Sequence, residues 1–190
     1  MIFKKHIAKK KQEMTEQIAS AEIINGSRAA FDFLYDLYGR NIYAFCLRLL
    51  GEKEAAEDAF QETFCKVYEK CRDFRGENFH AWLFTIARNT CMNIIRSRKN
   101  FEEVDENALI IDSNEMQIDS TVKECINAAL QKLPLAYREA IILRDYEEYS
   151  YEEIAEILGI EKANVKVRID RARLLMKKML TPIVRENNEN

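Results

Sequence analysis

Lys166, Asp170, Arg171, Arg173 and Lys177 fall on one side of the stretch from Ser150 to Met179, and Val165, Ile169, Ala172 and Met176 on the other. Cations with one carboxylate along a helix face suit contacts with phosphates and base edges. They contain no nucleophile paired with a base. The residues before them would position such a helix. Ser150 is a natural N-cap and Glu153, three residues on, completes a capping box. Ile154, Ala155 and Leu158 make an inward face, Gly159 supplies a left-handed C-terminus, and Ile160 is the buried turn residue. A short capped helix, a glycine turn and a longer basic helix form a helix-turn-helix pattern, whose second helix enters a DNA major groove. A plain helical hairpin with a solvated basic face has the same pattern, so this stretch leaves both readings open.

A second set lies upstream. At about 100° per residue, Phe79, Leu83, Ile86, Ala87, Thr90 and Ile94 share one arc of a helix expected from Phe79 to about Arg98. Thr85, Arg88, Asn89, Met92 and Arg96 share the opposite arc, with Trp82 and Asn93 at the border. Just before it, the loop Asp73 to Asn78 is expected to expose Phe74. Amides and cations beside an aromatic loop suit single-stranded nucleic acid, whose bases stack and whose backbone follows positive charge. A merely polar surface is the alternative. A third face, Asp58, Gln61, Glu62 and Cys65, points outward from a helix expected from Lys53 to Cys71. By itself such a face is usually just a solvated surface, and reading it as a docking surface for a partner helix needs independent support.

The composition is 47% hydrophobic and 32% charged, with five Gly and two Pro, which favours helices over turn-rich sheet. No apolar run approaches the roughly 18 residues of a membrane span, and the N-terminus lacks the apolar core of a secretory signal. No membrane insertion is expected. The five cysteines show no CxxC spacing and fit a reduced, cytoplasmic core better than a metal site or disulfides. No metal or cofactor is expected. The net charge of −3 disfavours a uniformly basic coat but allows a local basic face.

The expected fold class is all-α: two small helical domains joined by a flexible acidic linker, the second a helix-turn-helix. Residues 1–13 form a basic tail and 14–99 a helical domain. A short helix over Met14 to Ile24 should turn Ile18, Ala21 and Ile24 inward. After the Asn25-Gly26 turn, Phe31, Leu34, Tyr35, Tyr38, Ile42, Phe45, Cys46 and Leu49 make a long helical stripe that Gly51 ends. In the following helix Ala56, Ala59, Phe60, Phe64, Val67 and Tyr68 should be buried. Residues 100–120 accumulate acid without a helical repeat and read as the linker. Residues 121–181 hold the helix-turn-helix domain, where Val122, Cys125, Ile126, Ala129 and Leu130, then Ala140, Ile141, Leu143 and Tyr146, should face inward. Thr181-Pro182 should end the last helix and leave 182–190 a disordered tail.

Three segments carry a family resemblance: AEDAFQETFCKVYEK (Ala56 to Lys70), FRGENFHAWLFTIARNTCMNIIRSR (Phe74 to Arg98) and LPLAYREAIILRDYEEYSYEEIAEILGIEKANVKVRIDRAR (Leu133 to Arg173). In this order they resemble bacterial sigma factors of the extracytoplasmic-function (ECF) type. The likeness spans the chain from about Thr15 to Leu180. It implies a monomeric protein that binds RNA polymerase core, reads a two-part promoter as duplex and as single strand, and is held by an anti-sigma factor. Asp58, Gln61 and Glu62 would dock on the polymerase clamp helices. Phe74, Arg75, Asn78, Arg88, Asn89, Asn93 and Arg96 would contact the −10 element, Phe74 by stacking at an extruded base. Lys166, Val167, Asp170, Arg171 and Arg173 would face the −35 element. Trp82 is read as core packing rather than a DNA contact. The acidic linker would thread the polymerase channels.

The sequence departs from the family at three places. Ala163-Asn164 replaces a common Gly-Thr, Asp170 stands where cations, aromatics or polar residues are common, and Tyr68 replaces a Trp, read as a core substitution. The rival reading is a helix-turn-helix regulator that binds duplex operator DNA without joining polymerase. An enzyme is disfavoured, since no metal, nucleophile or phosphate-loop pattern appears in the sequence.

Overall fold

The computed structural model describes residues 14–75, 78–99 and 122–188. The basic tail at 1–13, the acidic linker and the last two residues of the C-terminal tail lie outside the described residues. Among those described there are eight α-helices and no strand. In order they are α1 Glu16–Ile23, α2 Arg28–Leu50, α3 Lys53–Lys70, α4 Phe79–Lys99, α5 Val122–Lys132, α6 Leu135–Asp145, α7 Tyr151–Leu158 and α8 Lys162–Asn188, with a 3-10 turn at Cys71–Asp73. The all-α class with a C-terminal helix-turn-helix is what the spacing predicts.

The N-terminal group forms around α2. Ser27 caps it by accepting from Ala30 N, and Gly51 ends it in the left-handed region at φ 80°. Its stripe of Leu34, Tyr38, Ile42, Phe45, Cys46 and Leu49 is buried against α1, α3 and α4. Two residues of the expected stripe are exceptions: Phe31 is half-buried and Tyr35 is exposed. On α1 the buried residues are Ala19 and Ile23, whereas Ile18 and Ala21 face out. With only eight residues the expected apolar set was too short to fix the face, and packing on α2 rotated it by about one residue.

The C-terminal group packs α8 against α5, α6 and α7. Ser150 and Glu153 make the capping box in both directions, and Gly159 closes α7 at φ 65°. Val165, Ile169 and Ala172 of α8 are fully buried. Val122 is exposed rather than inward, as fits the first residue of its helix. The last helix does not stop at Thr181: α8 continues through Pro182 to Asn188. A proline lacks the N–H that the carbonyl four residues back would accept. The loss is tolerable here, and Thr181 Oγ1 donates to the Lys177 carbonyl in the same turn.

The two groups touch through side chains of α2 and α4 on one side and α5, α6 and α7 on the other. Gln131 Nε2 donates to the Arg48 carbonyl (2.7 Å) and Arg138 donates to the Leu49 carbonyl (3.0 Å), so both serve orphan carbonyls at the end of α2. His80 of α4 is stacked between Tyr38 of α2 and Tyr149, which follows α6, with both ring centroids at 4.8 Å. Phe84 meets Phe45, His80 and Tyr149 edge-on. For this reason Phe84, Ala81 and Met92, outside the expected inward arc, are buried: α4 is covered on two sides.

Burial lowers the His80 pKa, opposed in part by Glu16 and Glu153. The folded state therefore prefers the neutral ring. The stability this gives is fully present above the unfolded pKa of about 6.5 and is lost as pH falls through it toward the lower folded value. Thermal unfolding should show a decrease in Tm as pH falls from about 7.5 to about 5.5, a smaller one in His80→Gln. An equal decrease in both would assign the acid sensitivity to other groups.

Candidate polymerase and nucleic-acid interfaces

On α3, the buried residues Ala55, Ala56, Ala59, Thr63, Phe64 and Val67 turn Asp58, Gln61, Glu62 and Cys65 to solvent. The acidic-amide face is therefore a real surface, with Lys66 pairing back to Glu62 at 2.6 Å. Tyr68, expected in the core, is 62% exposed. It leans edge-on against Phe31 at 5.5 Å, because the position facing the core one turn away is already filled by Phe64. Phe31, Tyr35, Phe60, Phe64 and Tyr68 line an open groove of about 580 Å³ that has Gln61 on its wall. Sequence reasoning missed this groove. Its signal was present, since the aromatics of α2 and α3 are too many for one narrow stripe.

The loop before α4 is different from expectation. Phe74 is 4% exposed, wedged against Phe79 (5.6 Å) and Trp82 (5.3 Å). A large aromatic ring beside two others gains more by burial than a short loop can gain by presenting it. Phe74 thus anchors the loop in this conformation and is buried, which corrects the expected exposure of its ring. Trp82 is half-buried and packs as expected. Asn78 is also engaged structurally: its Oδ1 accepts from Ala81 N (2.9 Å) at the start of α4 and its Nδ2 donates to Glu153 (3.2 Å). Arg75 is exposed and donates to the Arg72 carbonyl.

Along α4, Asn89, Asn93 and Arg96 are exposed, at spacings that place them along one edge of the helix. Arg88 is not free beside them. Its Nε and Nη2 donate to the two oxygens of Glu139 at 2.9 and 3.3 Å. Glu139 also accepts from Arg168 at 3.3 Å and is only 3% exposed. Sequence reasoning passed over Glu139 because a carboxylate on an α6 face flanked by apolar residues looks like an ordinary surface position. Its pairing depends on α4, distant in sequence.

On α8 the outward side carries Lys166, Val167, Asp170, Arg171 and Arg173, all exposed. Val167, at 46% exposure, is an apolar side chain left in solvent between charges. Arg173 reaches Asp145 (3.2 Å from Nε), and Arg171 donates to the Tyr137 hydroxyl (3.1 Å). Exposed pairs of this kind are worth only about 0–1 kcal/mol and can exchange for phosphate. The structure thus brings the five predicted α8 residues onto one face. It separates the predicted α4 set into exposed Asn89, Asn93 and Arg96, and engaged Phe74, Asn78 and Arg88.

Among the described residues no helix is long and apolar enough to cross a membrane.

Residues 34–101 match the family described as Sigma-70 region 2, and residues 123–176 match Sigma-70, region 4. The chain is 32% identical to the RNA polymerase sigma-H factor of Pseudomonas aeruginosa over 92% of its own length and 98% of that protein's. It is 32% identical to the ECF RNA polymerase sigma factor SigW of Bacillus subtilis, covering 84% of this chain and 93% of the relative. Among solved structures it resembles the sigma factor RpoE of Bartonella quintana, crystallised with the anti-sigma factor NepR. That match has a TM-score of 0.68 and 32% identity, and covers 80% of this chain and 96% of the other. Both matched regions lie in their family order on the helices that bear the polar faces, and the chain belongs to the bacterial RNA polymerase sigma factors of the ECF type.

Proposed function

We propose that the protein initiates transcription by docking the α3 face on the clamp helices of core polymerase, reading the −10 element with α4 and the −35 element with α8. The observation that carries the residue assignments is the exposure of three polar faces on helices whose other sides are buried: Asp58, Gln61 and Glu62; Asn89, Asn93 and Arg96; Lys166, Val167, Asp170 and Arg171. Packing leaves these side chains outward where a merely structural helix needs only general solubility. The first helix group supports a domain near 14–99, while α8 extends the second group from Val122 past the expected limit at 181 to Asn188.

Each contact follows from side-chain chemistry. Carboxylates on α3 suit cationic partner helices. Amides on α4 can exchange paired donor and acceptor contacts with the edges of unstacked bases, while Arg75 and Arg96 follow the backbone. Arg88 joins them once it leaves Glu139. Phe74, buried under Trp82, acts through the shape of the loop. Opening the duplex needs no catalytic side chain: unstacking costs a few kcal/mol per base and capture of the extruded base offsets it. In α8, cations hold phosphates while Asp170 can accept from a cytosine N4. The protein works where polymerase does, in the cytoplasm, and takes an anti-sigma factor as partner, as the Bartonella relative does. The match to region 2 sets aside a regulator that binds operator DNA without polymerase, because such a protein has no use for the α3 face.

Purified protein added to core polymerase should yield run-off transcripts from a library of promoter fragments. Specific DNA binding without any initiation in the presence of core would overturn the assignment. Asp58→Lys or Glu62→Lys should weaken core pull-down by at least about tenfold, about 1.4 kcal/mol, with the circular dichroism spectrum unchanged. Undiminished pull-down removes that surface from the docking assignment.

Asp170→Asn should relax selection at one −35 base pair, a discrimination of about 1–3 kcal/mol. Selection from a randomised −35 library by the reconstituted holoenzyme measures it. An unchanged base preference would mean that Asp170 faces no base.

A further inference from the structure

We propose that Tyr137 of α6 is a further −35 contact: its hydroxyl holds the Arg171 guanidinium in place and donates its own hydrogen to the backbone phosphate that Arg171 meets. This rests on the −35 assignment of α8 made above. The buried stripe of Val165, Ile169 and Ala172 fixes the rotation of α8. Arg171 and Arg173 flank Ala172 at about 100° to either side. They therefore stand at the two edges of the exposed face, while Val167 and Asp170 lie nearer its centre. A helix with side chains is about as wide as a major groove. Its edges consequently run beside the two backbones, and edge cations are the ones placed for phosphates.

The two edges are not equivalent. α6 lies across α8, with its first turn at Arg171 and its last residue at Arg173. At the first edge, Arg171 Nη1 donates to the Tyr137 hydroxyl at 3.1 Å. A hydroxyl that accepts still has a hydrogen to give, and none of the described residues takes it. The Tyr137 ring is half-buried against the core, and its backbone N–H donates to the Pro134 carbonyl at 2.8 Å. The hydroxyl is thus a fixed post. It orients a long side chain before DNA arrives, so less rotamer freedom is lost on binding. A hydroxyl does not cancel the guanidinium charge, and the other N–H groups of Arg171 stay available to the same phosphate.

At the second edge, Arg173 Nε and Nη2 donate to the two oxygens of Asp145. The hydrogen bond to Asp145, followed at longer range by the charge of Asp170, raises the Arg173 pKa against some desolvation. This cation is therefore already balanced. A phosphate that displaced Asp145 would stand beside the carboxylate it had displaced, and like charges so placed repel. The Arg171 edge takes the phosphate, with Tyr137 as its second donor, and the Arg173 edge stays with Asp145.

Preformed holoenzyme, with core in excess, is titrated over a range of salt concentrations with a labelled duplex fragment from a promoter that the wild type uses. Arg171→Ala should weaken binding and flatten the plot of log K against log salt by about 0.9, the loss of one phosphate contact. Tyr137→Phe keeps the ring and its packing. It should weaken binding about fivefold, equally on fragments with altered −35 bases, with Tm unchanged. In the Arg171→Ala background the same change should cost less, because the shared contact is already lost. Arg173→Ala should leave the salt slope as it is. Asp145→Asn should tighten binding and steepen the slope by up to about 0.9, and adding Arg173→Ala should cancel that gain.

Unchanged affinity in Tyr137→Phe would overturn the contact, and an equal cost with and without Arg171 would overturn its hold on that guanidinium. A cost confined to one −35 sequence would make it a base contact instead of a phosphate contact. An unchanged slope in Arg171→Ala, a flatter one in Arg173→Ala, or a gain in Asp145→Asn that survives Arg173→Ala would overturn the difference between the edges. Run-off transcription is read on the same wild-type preparation. Absent transcripts mark failure of the sigma reading, whereas transcripts together with an unaffected Tyr137→Phe mark failure of this contact alone.

Discussion

Glu139 carries a carboxylate into a site with 3% exposure, where an unpaired charge would cost several kcal/mol. Arg168 from α8 and Arg88 from α4 approach it from two sides. The first contact ties α6 to α8 and so sets the frame of the helix-turn-helix. The second fixes which side of α4 turns toward the C-terminal helices. Once that side is covered, Ala81, Phe84 and Met92 become core, His80 enters the tyrosine stack, and Asn89, Asn93 and Arg96 remain the open edge. The division of α4 between inward and outward residues therefore follows from one buried anion more than from its own amphipathicity.

Much of the fold could be read from local rules. The capping box at Ser150 and Glu153, the left-handed glycines at 51 and 159, and the four-three-four apolar spacing of α8 each act within a few residues, so sequence distance hid nothing. The exposed faces of α3 and α8 follow from the same periodicity. What could not be read depends on contacts across the chain. A helical wheel assigns one partner side, and α4 has two. Phe74 looked exposed because its loop is polar, yet two aromatic rings from the next helix stand within reach of it. Tyr68 looked internal because it continues an apolar run, but Phe31 and Phe64 already close that space.

The candidate sites divide along the same line. Lys166, Val167, Asp170, Arg171 and Arg173 lie together on one helix, where spacing alone groups them. The −10 set spans a loop and a helix edge, and there local reading cannot tell a side chain free to bind from one already engaged. Asn78 is both a helix cap and a donor to Glu153. Arg88 is polar, half-buried and paired. A residue type suited to nucleic acid is equally suited to holding two parts of a protein together, and only the partner's position distinguishes the uses.

The cysteines have a practical consequence. None of the five forms a disulfide; Cys46, Cys71, Cys91 and Cys125 are buried and only Cys65 is exposed. A hydrogen bond with Cys46 and burial hold the Cys91 thiol protonated well beyond its ordinary range, and thiolate is the form that reacts. A maleimide dye applied to the native protein will therefore attach at one position, on the outward side of α3 beside Gln61 and Glu62. The unmodified sequence thus contains its own attachment point for a fluorophore that reports arrival of a partner on that helix.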